Sequence, residues 1–166
     1  MVAERCPRRA RSQDRRTAPG EGPHSMGPKG SGRSSCRLVW SGRGGKQATD
    51  GTATLEGAEM LAMETEVRAA AGLFLAFQYP VEIPGVGNMT FLRTALNAQR
   101  KARGEPEVSA GDFLRLVREK AKRLQIDADM LKRPVNVGFS GGEKKRNEIL
   151  QMAVLEPRMC ILDETD

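Results

Sequence analysis

The sequence predicts an α/β fold, in which helices alternate with the strands of a buried sheet. Two apolar runs, Leu73–Phe77 and Met159–Leu162, have the length and composition of buried strands. Segments with the apolar spacing of helices lie between these runs, and the last of them begins with a capping pattern at Ser140. Strands separated by helices in this order are typical of an α/β domain.

The composition divides the chain into a tail and a folded part. Residues 1–23 are rich in Arg, Pro, Gly and Ser, which predicts a disordered basic tail, and residues 24–166 are the predicted domain. The formal net charge is +6, and aromatic residues make up only 4% of the chain. No aromatic residues alternate with the basic ones, so we interpret the charge as a solvated tail and expect no nucleic-acid partner.

The middle of the chain reads as a short strand followed by helices. Residues 51–57, GTATLEG, predict one strand bounded by glycines, and a helix is expected over Met63–Ala71. A second helix is predicted over Met89–Arg103, and Ser109 with Asp112 has the capping spacing of a third that reaches about residue 125. The expected apolar stripe of that third helix comprises Phe113, Leu116, Val117, Lys120 and Leu124.

The segment FSGGEKKRNEILQM, residues 139–152, places two glycines at the start of a helix. Ser140 and Glu143 have the spacing of a capping box, and an apolar stripe follows it at Ile149, Leu150, Ala153 and Val154. Gly141 and Gly142 are poor helix formers, and their missing Cβ atoms allow a phosphate to approach the N–H groups of the first turn. The alternative is an ordinary capped helix with a flexible entry.

The segment GPKGSGRSS, residues 27–35, has the spacing of a phosphate-binding loop, G-x-x-x-x-G followed by a basic residue and a serine. Arg33 occupies the position where such loops carry lysine, and a planar guanidinium does not replace a compact ammonium in a tight cradle. The alternative is a flexible Gly- and Ser-rich loop. A further candidate is the pair Asp163 and Glu164, which follows the last apolar run; such carboxylates hold Mg²⁺ and orient water, or else form a solvent-facing turn.

Four of these segments together resemble the motifs of ABC-type ATPases. GPKGSGRSS resembles a Walker A loop, AFQYP with Gln78 a Q-loop, FSGGEKKR the ABC signature, and MCILDE a Walker B strand. The segments LFLAFQYPVEIPGVGNMTFLRTALNAQRKARGE and RPVNVGFSGGEKKRNEILQMAVLEPRMCILDETD resemble the SufC family, the ATPases of the SUF iron–sulfur cluster assembly system. The resemblance is specific over residues 51–166, patchy over 27–50 and absent before them.

This resemblance implies a partial P-loop NTPase core with a helical subdomain at about residues 86–135, and it implies ATP and Mg²⁺ as cofactors. The implied nucleotide-binding residues are Gly27, Gly30, Ser31, Gly32, Arg33, Ser34, Ser35, Ser140, Gly141 and Gly142. Ser34, Gln78 and Asp163 would hold Mg²⁺, and Glu164 would be the general base. Ser140, Gly141 and Gly142 would contact the γ-phosphate of a nucleotide bound by a second copy, in a transient head-to-tail dimer.

The implied partners are the SufB and SufD scaffold proteins, which nucleotide binding would move. A docking segment is expected over residues 77–97, with apolar side chains at Tyr79, Val81, Ile83, Pro84 and Val86. These side chains either contact the scaffold or pack under the chain's own helices. Two alternatives stay open for the whole chain, namely a non-catalytic scaffold-binding fragment and the ATPase subunit of an ABC transporter.

Departures from the family pattern predict impaired hydrolysis. No strand pattern precedes Gly27, and the chain ends at Asp166, before the position of the switch histidine, so we expect a truncated core. With Arg33 in the phosphate loop as well, we expect turnover near zero. Cys6, Cys36 and Cys160 lack metal-ligand spacing, so no iron–sulfur cluster is expected on this chain, and Cys160 is expected to be buried in its strand.

The predicted compartment is the cytoplasm, with no membrane partner. No apolar run approaches the length needed to span a bilayer, and the N-terminus lacks the hydrophobic segment of a secretory signal.

Overall fold

The structure, a computed structural model, describes residues 39–40, 42, 52–55, 57–77 and 79–162. The chain divides into two units, residues 1–65 and 66–166. In the first unit, strands β1 (Thr54–Leu55) and β2 (Ala58–Glu59) form an antiparallel hairpin. The strand predicted within residues 51–57 is confirmed at Thr54–Leu55, whereas β2 was not predicted. Gly57 lies in the turn with φ +83°, a left-handed conformation that reverses the chain and starts the second strand.

A parallel strand pair carries both apolar runs in the second unit. Strand β3 (Leu73–Ala76) pairs with β6 (Met159–Leu162), with Ala76 opposite Leu162, so both strands end at the same edge. Helix α1 (Thr65–Ala70) precedes β3 and is shorter than predicted. Gly72 joins them at φ +104°, where an added Cβ would lie 3.0 Å from Arg158 Cγ. That close approach explains why the connection needs glycine.

Four helices and a second strand pair make up the rest of the unit's assigned elements. The antiparallel strands are β4 (Ile83–Gly87) and β5 (Pro134–Val135), with an irregularity in their register. The helices are α2 (Asn88–Ala102), α3 (Ala110–Arg123), α4 (Ala128–Lys132) and α5 (Gly141–Leu155). Helices α2, α3 and α4 lie within residues 86–135, where the sequence predicts a helical subdomain, but α4 was not predicted.

The hydrophobic core lies among these four helices. Its buried members are Leu92, Leu96, Phe113, Val117, Ala121, Ile126, Met130, Leu131, Phe139, Leu150, Val154 and Leu155. The predicted stripe of α3 is confirmed at Phe113 and Val117, while Leu116, Lys120 and Leu124 are half-buried. No helix within the described ranges is long and apolar enough to cross a membrane.

The buried face of α5 differs from the predicted stripe. Leu150 and Val154 are buried, as predicted, but Ile149 is 43% exposed. Asn147 and Glu148 lie on the buried face instead. Apolar periodicity identifies only apolar residues as buried. It therefore predicted that Ile149 is buried beside Leu150 and did not predict the burial of Asn147 and Glu148.

Strand β6 places its cysteine outward. Ile161 is buried, whereas Cys160 is exposed, so the prediction of a buried thiol is wrong. Successive side chains of a strand point to opposite faces, and Ile161 occupies the inward position. Partial desolvation still raises the pKa of the Cys160 thiol above its ordinary value.

Candidate nucleotide-binding site

The start of α5 is a complete capping box. Ser140 Oγ accepts a hydrogen bond from the Glu143 N–H at 3.2 Å, and Glu143 Oε2 accepts one from the Ser140 N–H at 2.7 Å. The hydrogen bond from the Ser140 N–H, and after it one between the Ser140 side chain and the carboxyl, lower the pKa of Glu143. The carboxylate therefore stays charged beside the positive end of the helix dipole, which holds the first turn in shape.

Gly141 and Gly142 form an open first turn. Both residues are exposed, and a Cβ added to either would meet no atom within 4 Å beyond its chain neighbours and the nearby backbone of its own helix. The packing of this chain therefore does not require glycine at either position. What the two glycines provide is free access to the N–H groups of the first turn, which have no partners within a helix. An anion fits this arrangement, because these groups point outward and carry partial positive charge.

Arg133 holds the loop that leads into this turn. Its Nη2 donates hydrogen bonds to the carbonyl oxygens of Gly138, at 2.7 Å, and Val137, at 3.2 Å, while Nη1 lies 3.4 Å from Glu143 Oε1. The guanidinium also lies 4.4 Å from the centroid of the Phe139 ring. One side chain thus connects the loop, its buried aromatic anchor and the capping carboxylate. Arg133 was not predicted as a site residue, because an arginine between a lysine and a proline resembles a surface residue.

Glu148 connects α5 to the end of β3. The side chain of this glutamate is buried, and its Oε1 accepts a hydrogen bond from the Phe77 N–H at 2.8 Å. Phe77 directly precedes Gln78 in the sequence. Burial raises the pKa of Glu148, and its second oxygen has no hydrogen-bond partner within the described part of the chain. A buried carboxyl at this point was not predicted, because sequence patterns do not distinguish it from the charged residues of the exposed face.

Of the predicted site residues, the structure describes Ser140, Gly141 and Gly142, which it places together at the start of α5. The other predicted site residues lie outside the described residues; they are Gly27, Gly30, Ser31, Gly32, Arg33, Ser34, Ser35, Gln78, Asp163 and Glu164. Within the ranges that the structure describes, no group of three His, Cys, Asp or Glu side chains could hold a metal ion.

The predicted docking segment carries both exposed and half-buried side chains. Tyr79 is 81% exposed and Val81 is 55% exposed, whereas Ile83 and Val86 are half-buried. The first two side chains are therefore available to a partner, and the latter two partly pack against the chain itself.

Residues 16–166 match the profile of a protein family described as ABC transporter. The chain belongs to this family. The match begins at residue 16, upstream of Gly27. Gly27 is the first residue of the motifs that indicate the resemblance. Membership in the ABC transporter family confirms the α/β class and the predicted kinship with ATP-binding cassettes.

The predicted similarity to SufC is also confirmed. The chain is 55% identical over 148 residues to "Probable ATP-dependent transporter SufC" of Escherichia coli (strain K12), covering 89% of this chain and 60% of that protein. It is 49% identical over 141 residues to "Iron-sulfur cluster assembly protein SufC" of Plasmodium falciparum (isolate 3D7), covering 85% of this chain and 41% of that protein. The chain thus spans less than two thirds of these relatives.

Solved structures of ABC cassettes share the fold. The dimeric structure of a bacterial ABC transporter cassette superposes with a TM-score of 0.66 at 18% identity, covering 83% of this chain and 58% of the other. A post-hydrolysis state of that cassette, bound to ADP and Pi, superposes with a TM-score of 0.63 at 16% identity, with the same shares of the two chains covered.

Proposed function

We propose that this chain is a nucleotide-binding subunit of an iron–sulfur cluster assembly system, similar in role to its relatives named SufC. The observation that carries the proposal is the start of α5, where Ser140 caps an exposed turn of Gly141 and Gly142. In the proposed role this turn binds the γ-phosphate of ATP held by a second copy of the chain. Its N–H groups are suited to a phosphate, and the packing within the chain gives no other reason for two glycines.

The first copy would bind ATP through the loop of residues 27–35, with Arg33 beside the terminal phosphates. Ser34, Gln78 and Asp163 would hold Mg²⁺, which neutralises charge on the phosphate oxygens when bound. Strands β3 and β6 support the last two assignments, because the two strands end at one edge. Asp163 directly follows β6, and Gln78 follows β3 after one residue, Phe77. Glu164 would orient or deprotonate the attacking water.

Hydrolysis by this chain is proposed to be slow. A lysine at the position of Arg33 would place a compact charge among the phosphate oxygens, whereas the guanidinium is broad and planar. Binding is less affected than turnover in this proposal, since a cation at that position still attracts the phosphates. A cytoplasmic location belongs to the same proposal, because a subunit of this kind works where ATP is supplied.

The proposed macromolecular partners are SufB and SufD scaffold proteins, with no nucleic acid or membrane partner. The exposed Tyr79 and Val81 support a docking surface directly after β3. Aromatic side chains are effective anchors at protein interfaces because they bury a large area with few rotatable bonds. The same observation favours a second candidate function, that of a scaffold-binding chain without ATP turnover.

Calorimetry with Mg-ATP tests the nucleotide part of the proposal. We expect weak, measurable binding by the chain and roughly tenfold tighter binding by Arg33→Lys, a gain of about 1.4 kcal/mol. If neither binds, the nucleotide-binding role is refuted. If both bind equally, Arg33 is not beside the phosphates.

A pull-down on immobilised SufB and SufD separates the two candidate functions. The ATPase role predicts that Mg-ATP changes the amount of chain retained. The scaffold-binding alternative predicts retention that is independent of nucleotide. In both cases Tyr79→Ala should weaken retention. The matched control is Leu114→Ala, which removes an exposed apolar side chain from α3, away from the docking segment.

A further inference from the structure

Three buried asparagines form a continuous hydrogen-bonded chain across the second unit. Asn88 Nδ2 donates to Asn147 Oδ1 at 2.6 Å, and Asn147 Nδ2 donates to Asn136 Oδ1 at 2.9 Å. Asn136 Nδ2 then donates to the carbonyl oxygen of Val81 at 2.8 Å. All three asparagines are buried, with exposures of 0% for Asn88 and Asn147 and 4% for Asn136. We call Asn88, Asn147 and Asn136 the asparagine relay.

The relay joins two regions that are distant in sequence, residues 81–88 and residues 136–147. Asn88 is the first residue of α2, Asn147 lies in α5, and Asn136 lies in the loop between β5 and α5. Val81 belongs to the exposed segment that follows Gln78. Asn147 therefore lies in the helix that Ser140 caps, and it is linked through Asn136 to the proposed docking segment.

Two polar contacts from neighbouring residues of α5 flank the relay. Lys144 Nζ lies 2.7 Å from Glu82 Oε1, and Glu148 Oε1 accepts from the Phe77 N–H. Residues 144, 147 and 148 share one face of a helix because they are three and four positions apart. This face of α5 thus contacts the segment on both sides of Gln78 directly, through residues 77 and 82, and reaches Val81 through Asn136.

We propose that Asn147 is a positioning residue that couples the docking segment to the first turn of α5, so that a displacement of Tyr79 and Val81 displaces Gly141 and Gly142. The inference rests on the proposed function for the meaning of those two sites. The coupling itself is a property of the relay and does not depend on nucleotide.

The directional pattern of the relay explains how it couples the two sites. The amides of Asn147 and Asn136 each accept one hydrogen bond and donate another, so a shift of one leaves its neighbours without partners. A buried polar group that loses its partner is strongly disfavoured, and for this reason the linked segments move together rather than separately. Apolar packing would instead allow the segment to slide by small steps.

Asn136→Gly is the first test, because Asn136 has φ +60° and glycine adopts that conformation without strain. The variant removes the Asn136 side chain and with it the relay amide. Hydrogen exchange of the full chain, followed by mass spectrometry, reports on residues 79–83 and 139–146. We expect exchange in both peptides to rise about tenfold, as for the loss of a buried hydrogen bond. A rise in only one peptide, or in neither, would overturn the coupling.

Gln125→Gly is the matched control. Gln125 also has a positive φ, at +53°, but lies at the end of α3 outside the relay. We expect no change in either peptide. Equal effects of the two glycine variants would mean that general loosening explains the result, and the proposal would be withdrawn.

Asn136→Asp distinguishes a relay from simple packing. An ionised carboxylate accepts from Asn147 but cannot donate to the Val81 carbonyl, whereas the protonated carboxyl does both. The chain contains one tyrosine, so a ¹³C-tyrosine label at Tyr79 gives a single ring signal from the docking segment. We expect the wild-type signal to return in this variant below about pH 5, where a buried carboxyl is protonated.

The same pH titration of Asn136→Gly accounts for other groups that titrate nearby. Glu82, Glu143 and Glu148 carry the neighbouring carboxyls and are identical in both variants, as are the cations of Lys144 and Arg133. A return of the signal in Asn136→Asp alone supports the relay, and a return in both or in neither contradicts it. All these measurements use nucleotide-free chain, so failure to bind Mg-ATP in calorimetry would refute the proposed function without altering this result.

Discussion

Helices α3 and α5 both begin at a serine whose hydroxyl accepts a hydrogen bond from the N–H three residues later, at 3.1 Å for Ser109 and 3.2 Å for Ser140. Beyond the first turn they differ. The buried residues of α3 are apolar, whereas those of α5 include Asn147 and Glu148. An apolar face stabilises without demanding particular partners, but a polar face must find them. The buried polar residues of α5 therefore fix its position more narrowly than the apolar face of α3 fixes the position of α3.

We expect the largest effect from a substitution that disrupts the apolar face of α3. Phe113→Ala removes a buried ring from the core and should lower the free energy of unfolding by about 3–5 kcal/mol. Leu114→Ala, on the exposed side of the same helix, should change it by less than about 1 kcal/mol. Urea denaturation followed by circular dichroism measures both. Similar losses from the two variants would contradict the assignment of the buried face.

Breaking the polar face of α5 is expected to have a smaller effect. Asn147→Ala leaves the amides of Asn88 and Asn136 without their partner, which should cost roughly 2–3 kcal/mol. The same denaturation experiment on Ile149→Ala, a change on the exposed side of α5, should show a loss below about 1 kcal/mol. If Ile149→Ala is the more damaging change, α5 is rotated relative to the structure.

Ser109 and Ser140 can be compared directly, because both are serine N-caps with the same hydrogen bond. Ser109→Ala and Ser140→Ala should each lower the free energy of unfolding by about 1 kcal/mol, because each removes one helix cap. Only Ser140→Ala should also weaken Mg-ATP-dependent association of two copies, which analytical ultracentrifugation measures. Equal effects on association would indicate that the α5 start has no special role there.

The smallest effect concerns the pH dependence of stability. The folded pKa of Glu148 is raised above its ordinary value of 4.5, mainly by burial, so the folded state holds this proton more tightly than the unfolded state. Its contribution to stability is therefore fully present below pH 4.5 and decreases as the pH rises through the folded pKa.

Glu148→Gln tests this sign. The amide oxygen can still accept from the Phe77 N–H, but the side chain no longer titrates. We expect the variant to be more stable than the wild type at neutral pH, with the advantage shrinking as the pH falls towards 4.5. Thermal unfolding between pH 4 and pH 8 checks it, and a constant difference across that range would contradict the assigned cause.

Local patterns predicted much of the second unit. The strand Met159–Leu162, the helix after Ser109 and the capping box at Ser140 were all predicted, because each depends on residues close together in sequence. The β1–β2 hairpin was missed, since its strands contain only two residues each, too few for an alternating pattern to be detected. Family motifs named the candidate site residues, of which the structure describes those at the start of α5.

The amino-acid sequence by itself determined the α/β class, the start of α5 and the family to which the chain belongs. Capping, periodicity and motif spacing are local properties. They depend on residues that are close together in the sequence, so the sequence alone is sufficient to predict them. Only the tertiary structure decided that Arg133 holds the loop that leads into α5. It also decided that Asn88, Asn147 and Asn136 form one chain of hydrogen bonds. Those contacts join residues up to 59 positions apart, and an asparagine reads as a surface residue until its partners are brought beside it.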